Sequence, residues 1–130
     1  MVNILIVEDD LDLVETYTDL LAAHGHKVES TARLNDAVEK LKQFPIQIVV
    51  LDLHLPGARV SQLGQFVQTA KQICDAAVII ISGHPEMMYQ NVMLDKVDLV
   101  LTKPVSNSDL LSLVERMGKS SDHFAAKSPD

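Results

Sequence analysis

Four apolar runs each end on side chains that can do chemistry. Glu8, Asp9 and Asp10 follow Val2 to Val7, Asp52 follows Ile46 to Leu51, Ser82 follows Val78 to Ile81, and Thr102-Lys103-Pro104 follows Val97 to Leu101. Gathered in one place, these make a carboxylate cluster, a hydroxyl and an ammonium. Carboxylates at close range repel one another, by about 1 to 4 kcal/mol per pair at 4 Å between water-like and surface-like dielectrics. A cation relieves this. Hard oxygen ligands select Mg²⁺, Ca²⁺ or Mn²⁺, and Mg²⁺ takes one or two carboxylates while keeping waters and a phosphate oxygen. The Lys103 ammonium and the Ser82 hydroxyl suit the other oxygens of a phosphoryl group, and a carboxylate can attack phosphorus. The chemistry these residue types point to is metal-assisted phosphoryl transfer to an aspartate.

That chemistry requires elements that bring the four run ends together, and the intervening sequence supplies them. The runs are largely apolar, broken only by Asn3, Gln47 and Asp98, and the one over Val78 to Ile81 is wholly apolar, as strands buried on both faces are. Between them the spacing turns helical: Leu13, Val14, Tyr17, Leu20 and Leu21 before His24-Gly25; Leu34, Ala37, Val38 and Leu41 before Phe44-Pro45; Val60, Leu63, Phe66, Val67, Ala70 and Ile73 after Leu55-Pro56-Gly57. Pro85 to Leu94 reads as a further amphipathic helix, and Leu110, Leu111, Val114 and Met117 as a last one, capped by Ser106 or Ser108. With Lys27 to Ser30 as the remaining strand, five strands alternate with five helices. The expected architecture is a doubly wound α/β fold, a parallel sheet with helices on both faces. All strand C-termini then share one edge, outside which open α/β sheets bind their ligands.

Composition sets outer bounds. The 130 residues, 47% hydrophobic and 22% charged, suit one globular domain with a core large enough to need no disulfide. The single Cys74 allows no intramolecular disulfide and suits a reducing, cytoplasmic compartment. A formal charge of −7 repels nucleic acid and anionic membranes. No run is long enough for a membrane span, and the start, MVNILIVEDD, has neither a basic region nor a full apolar core of a signal peptide, so a cytoplasmic, unprocessed chain is expected. The unit is expected over residues 1–118, with the small, polar stretch 119–130 a linker or disordered tail.

The motifs ILIVEDD, VVLDLHLPG, IIISGH and LTKPV, in this order and at strand ends, resemble the response-regulator receiver domains of two-component signalling, of the chemotaxis-type, flavodoxin-like kind. The resemblance runs from about Val2 to about Met117. It implies a sheet of strand order 2-1-3-4-5 and a phosphorylatable switch rather than an enzyme, with slow self-dephosphorylation. Asp52 is then the phosphoacceptor, loaded from a phosphohistidine on a sensor kinase or a histidine phosphotransfer protein. Mg²⁺ (or Mn²⁺) is implied on Asp9, Asp52, the His54 backbone carbonyl and, mostly through water, Glu8. Ser82 and Lys103 are implied to bind phosphoryl oxygens, and the peptide before Pro104 to be cis. The face made by the fourth helix, fifth strand and fifth helix is the expected surface for an effector domain, a partner protein or a second copy.

The sequence also departs from that family. Three residues before the lysine, where an aromatic switch residue is common, stands Val100, and Val60 replaces a common loop glycine. The Ser82 to Lys103 stretch is about one residue short, which predicts a shortened or displaced fourth helix. These changes leave an alternative, a receiver-like interaction module that works without phosphorylation. Asp10 is read as a helix cap, and His24 and His26 as capping and surface residues. His54 and His84, two residues beyond Asp52 and Ser82, are read as exposed loop histidines that can tune the acyl-phosphate lifetime. Met87, Met88, Tyr89, Val92 and Met93 form an adaptable stripe on the fourth helix, facing the core for the most part.

Overall fold

The computed structural model describes residues 1–83 and 96–127, with side chains described as far as residue 118 in the last helix. Five parallel strands form one sheet in the order β2-β1-β3-β4-β5. They are β1 (Asn3–Val7), β2 (Lys27–Thr31), β3 (Ile48–Asp52), β4 (Ala77–Ser82) and β5 (Leu99–Thr102). The described helices are α1 (Leu11–Ala23), α2 (Leu34–Gln43), α3 (Val60–Cys74) and α4 (Asn107–Lys127). This is the flavodoxin-like α/β fold expected. The helix read over Pro85 to Leu94, with its Met87, Met88, Tyr89, Val92 and Met93, lies outside the described residues, as does His84.

The double-sided apolar strands explain the two layers. Leu5, Val7, Val49, Leu51, Val78 and Ile80 turn to one face, where Ala37 and Leu41 of α2 and Leu63, Phe66, Val67 and Ala70 of α3 cover them. Ile4, Ile6, Ile48, Val50, Ile79 and Ile81 turn to the other, under Tyr17 and Leu21 of α1 and Leu110 and Val114 of α4. The period-two alternation of strand side chains assigns each residue to its layer, so a one-residue slip in register would exchange the two cores. The registers Leu5 to Val49 and Val49 to Val78 hold like with like.

Helix ends follow local chemistry. The Asp10 carboxylate accepts the Asp12 and Leu13 N–H groups at 3.1 and 3.2 Å, as expected of a cap. Ser106 does the same for Asp109 at 3.1 Å and starts α4. At the far end of α1, His24 Nδ1 lies 3.0 Å from the Leu20 carbonyl oxygen, and Gly25 turns the chain at φ 87°.

One expectation is corrected. His26 is not a surface residue: it is 7% exposed, and its Nδ1 accepts the Val2 N–H at 3.1 Å. Its place between α1 and β2 folds it under β1, a tertiary contact with no local sequence signal. The backbone of α4 continues past Met117 to Lys127. Gly118 itself marks a close approach, because a Cβ there would collide with Cγ2 of Val2.

Gly118→Ala tests that approach. In an open helix the change stabilises by about 1 kcal/mol; here overpacking against Val2 is expected to reverse the sign, to a loss of about 1 to 2 kcal/mol in urea unfolding. Adding Val2→Ala should return part of the loss, and a stabilised single variant would contradict the packing described.

Candidate functional site

The carboxylates meet because β1 and β3 are neighbours in the centre of the sheet and stop level with each other. Val7 pairs with Leu51, so Glu8 and Asp52 are the next residues out on adjacent strands. Side-chain oxygens of Glu8, Asp9 and Asp52 lie within 4.8 Å of one another. Asp52 and Glu8 are almost buried, at 4% and 6% exposure, whereas Asp9 is open to solvent. Ser82 ends β4 on the same edge, one step beyond Ile81, the register partner of Asp52. It is fully buried, and its carbonyl oxygen accepts the Lys103 N–H at 2.8 Å.

Lys103 closes the cluster. Its Nζ donates to Glu8 Oε1 at 2.9 Å and stands 3.6 Å from Asp52 Oδ1. Glu8 Oε2 accepts the N–H groups of Asp9 and Asp10 at 3.0 and 3.2 Å, and Asp52 Oδ1 accepts the His54 N–H at 3.2 Å. Both Glu8 oxygens are thus engaged, one turned to the lysine and one to the backbone of the acidic loop. Three carboxylates against one ammonium leave a local charge of −2. Partial burial of Lys103 works to lower its pKa, but the hydrogen bond to Glu8 and the charge of Asp52 outweigh it and raise the pKa above the usual 10.5. The Lys103-Pro104 peptide is cis.

The expected site residues therefore fall together: Glu8, Asp9, Asp52 and Lys103 through direct proximity, Ser82 through its position on the same edge. His54 is exposed in the loop after β3. Val100 is half-buried on β5 beside Ile80 and packs into the α2/α3 layer. Sequence reasoning missed the direct Glu8–Lys103 pair, which joins residues from opposite ends of the chain. It also missed Tyr17, a buried α1 residue whose pKa is raised by burial; the charge of Lys103 lowers it and that of Glu8 raises it. Its place in the helical stripe two turns below the acids was the available signal. Asp98 was missed as well: before β5 its carboxylate accepts the Val78 N–H at 2.7 Å and pairs with Lys71 of α3.

The sequence profile of the response regulator receiver domain matches residues 4–115. The chain belongs to that family, the receiver domains of two-component signalling. An NtrX-like response regulator of Rickettsia bellii is 29% identical over 118 residues, covering 89% of this chain and 24% of that protein. The chain spans about a quarter of the length of the curated relatives it matches first. A CheY-like receiver domain protein from Methanospirillum hungatei JF-1 superposes with a TM-score of 0.81 at 21% identity, covering 95% of this chain and 98% of that one. The response regulator TrrA of Thermotoga maritima, solved in complex with Mg(2+)-BeF, gives a TM-score of 0.74 at 20% identity, covering 90% and 99%. No helix among the described residues is long and apolar enough to cross a membrane.

Replacing Lys103 by Met strands the buried Glu8 carboxylate. At neutral pH this is expected to lower unfolding stability by about 1 to 3 kcal/mol, below the cost of breaking a fully buried pair because the lysine is partly solvated. In the unmodified protein, the raised pKa values of Lys103 and Tyr17, ordinarily 10.5 and 10.0, mean that the unfolded chain loses these protons first. Their stabilisation is complete below those ordinary values and is lost as pH rises through the higher folded ones, an alkaline limb that urea titrations between pH 8 and pH 11.5 (about the range of the two groups) measure.

Proposed function

We propose that the protein is a phosphorylatable signalling switch of the cytoplasm, with Asp52 as its phosphoacceptor. The observation that carries the reading is the Lys103 ammonium held between Glu8 and Asp52 on an edge where three carboxylates converge. The donor is a phosphohistidine, on a sensor histidine kinase or a histidine phosphotransfer protein. An Asp52 carboxylate oxygen attacks phosphorus, the P–N bond to the donor imidazole breaks, and the freed imidazole takes up a proton. The product is an acyl phosphate on Asp52. Water later attacks it to release inorganic phosphate and restore the carboxylate, so turnover is slow and self-limited.

The donor set fits a hard divalent cation: three carboxylates, two of them nearly buried, carry more negative charge than one lysine offsets. Asp9, Asp52 and the His54 carbonyl would hold Mg²⁺ (or Mn²⁺) directly, with Glu8 acting through water, since both its oxygens already accept hydrogen bonds. Bound there, the ion would neutralise phosphoryl charge as the transfer proceeds. TrrA, with Mg(2+)-BeF, is a precedent in a similar fold. Lys103 is the residue that changes partner: a phosphoryl oxygen takes the place of the Glu8 carboxylate. Ser82 binds a second phosphoryl oxygen, and His54 and His84 tune access of water.

Output passes to an effector domain or partner protein, or to a second copy. The surface of β5 and α4 supports this: a groove of about 300 Å³ lies between them, lined by Leu99, Leu101, Val105, Leu113 and Arg116. With Val100 in the aromatic position, the signal reaches that face through Lys103 and the Pro104 turn rather than by an aromatic rotation.

Intact-mass spectrometry after incubation with a small phosphodonor tests the proposal. One added phosphoryl mass is expected, dependent on Mg²⁺ and absent in Asp52→Asn. Mg²⁺ alone should raise the unfolding midpoint, by the equivalent of about 2.7 kcal/mol at a hundredfold excess over Kd, and far less in Asp9→Asn. No added mass together with no Mg²⁺ stabilisation would overturn the switch and leave the phosphorylation-independent module.

A further inference from the structure

The edge of the sheet opposite the carboxylates carries a second ionisable group with a defined geometry. His26 stands between the end of α1 and the start of β2, and its own N–H donates to the Leu21 carbonyl oxygen at 3.1 Å. Its ring Nδ1 accepts the Val2 N–H at 3.1 Å, and the Val2 carbonyl oxygen accepts the Lys27 N–H at 2.9 Å. Both backbone groups of Val2 therefore depend on residues 26 and 27. The Val2 side chain, in turn, fills the space left by Gly118 of α4. One ring thus ties three elements together: the end of α1, the entry to β1 and the end of the described core of α4.

The tautomer follows from the bonding. A ring that accepts through Nδ1 is neutral and carries its hydrogen on Nε2. That nitrogen is sealed from solvent and has no hydrogen-bond partner among the described residues. A charged ring would have a hydrogen on both nitrogens, with the Val2 N–H opposing one and no acceptor for the other. An uncompensated buried donor and a buried charge are both costly.

We propose that His26 is an acid-released pin: protonating its ring expels the Val2 N–H, so that the entry to β1 and the Gly118 region of α4 open together as a local unit while the carboxylate edge stays folded. The groups facing the ring set the balance. Burial lowers its pKa below the ordinary 6.5; the Glu115 carboxylate on α4 opposes this, and the chain's α-amino group and His24 at the end of α1 add to it. Because the folded value is the lower one, the unfolded or opened chain takes up the proton first. The stabilisation is complete above 6.5 and declines as pH falls from there toward the folded value.

The first test is on the unmodified chain, by NMR of the histidine ring nitrogens and by amide hydrogen exchange corrected for intrinsic rate, from about pH 7.5 to about pH 5, the range in which histidine titrates. His26 is expected as the Nε2–H tautomer, titrating below 6.5. Opening measured at the Val2, Lys27, Met117 and Gly118 amides should rise by up to about tenfold per pH unit below that point, with Leu5, Val7 and Leu51 unaffected. His26→Asn supplies the second test, since its Oδ1 takes the place of Nδ1 as acceptor and does not titrate; opening in this variant should be flat over the same range. An Nδ1–H tautomer, a ring titrating at or above 6.5, or the same acid-dependent opening in His26→Asn would overturn the pin. None of these readouts depends on phosphorylation.

Discussion

Three negative side chains share a small volume at the edge of the sheet, and the structure tolerates them because one lysine reaches across the chain to the most buried pair. Repulsion of this kind is ordinarily relieved by splaying side chains into water. Glu8 and Asp52 cannot do so, since Glu8 directly follows β1 and Asp52 is the last residue of β3, and both are themselves nearly buried. The attraction to Lys103 and the three backbone N–H groups donated to Glu8 and Asp52 take over the role of water. The site is therefore held under electrostatic tension, with Lys103 as its counter-charge among the described residues. A charged ligand entering the cluster would change what Lys103 is needed for, and Lys103 directly follows β5.

The sheet order makes that link short. With β1 and β3 at the centre, the acids come from strands buried on both faces, and rigid backbone holds them. Ser82 and Lys103 come from β4 and β5, toward one side, where the described packing on β5 is lighter: its residues are half-buried or exposed while β3 is wholly buried. The proposed switch would therefore have its less constrained margin on the β5 side.

Much of this was legible in the chain itself, for identifiable reasons. Uninterrupted apolar strands ending on acids gave away both the parallel sheet and the edge on which the acids meet, because buried runs must stop where charge begins. Asp10 could be assigned as a cap, and the last helix could be started at Ser106 or Ser108, because capping is local. The contacts that sequence reasoning did not reach are all long-range or depend on shape. The pairing of Lys103 with Glu8 spans most of the chain, His26 resembles any polar turn residue until β1 lies over it, and nothing local marks the room that Gly118 makes for Val2. A glycine that ends a helix and one that admits a neighbour look alike in one dimension.

The outer strand β2 presents a polar margin to solvent. Lys27 is exposed, Glu29 is tied to Lys40 of α2 at 3.0 Å, and Ser30 and Thr31 complete the strand. A foreign strand adding to this margin would have to lie along a row of charged and hydroxyl side chains and disturb an ion pair. Strand addition at this margin is disfavoured for that reason, so β2 does not offer a template on which larger, irreversible assemblies could grow.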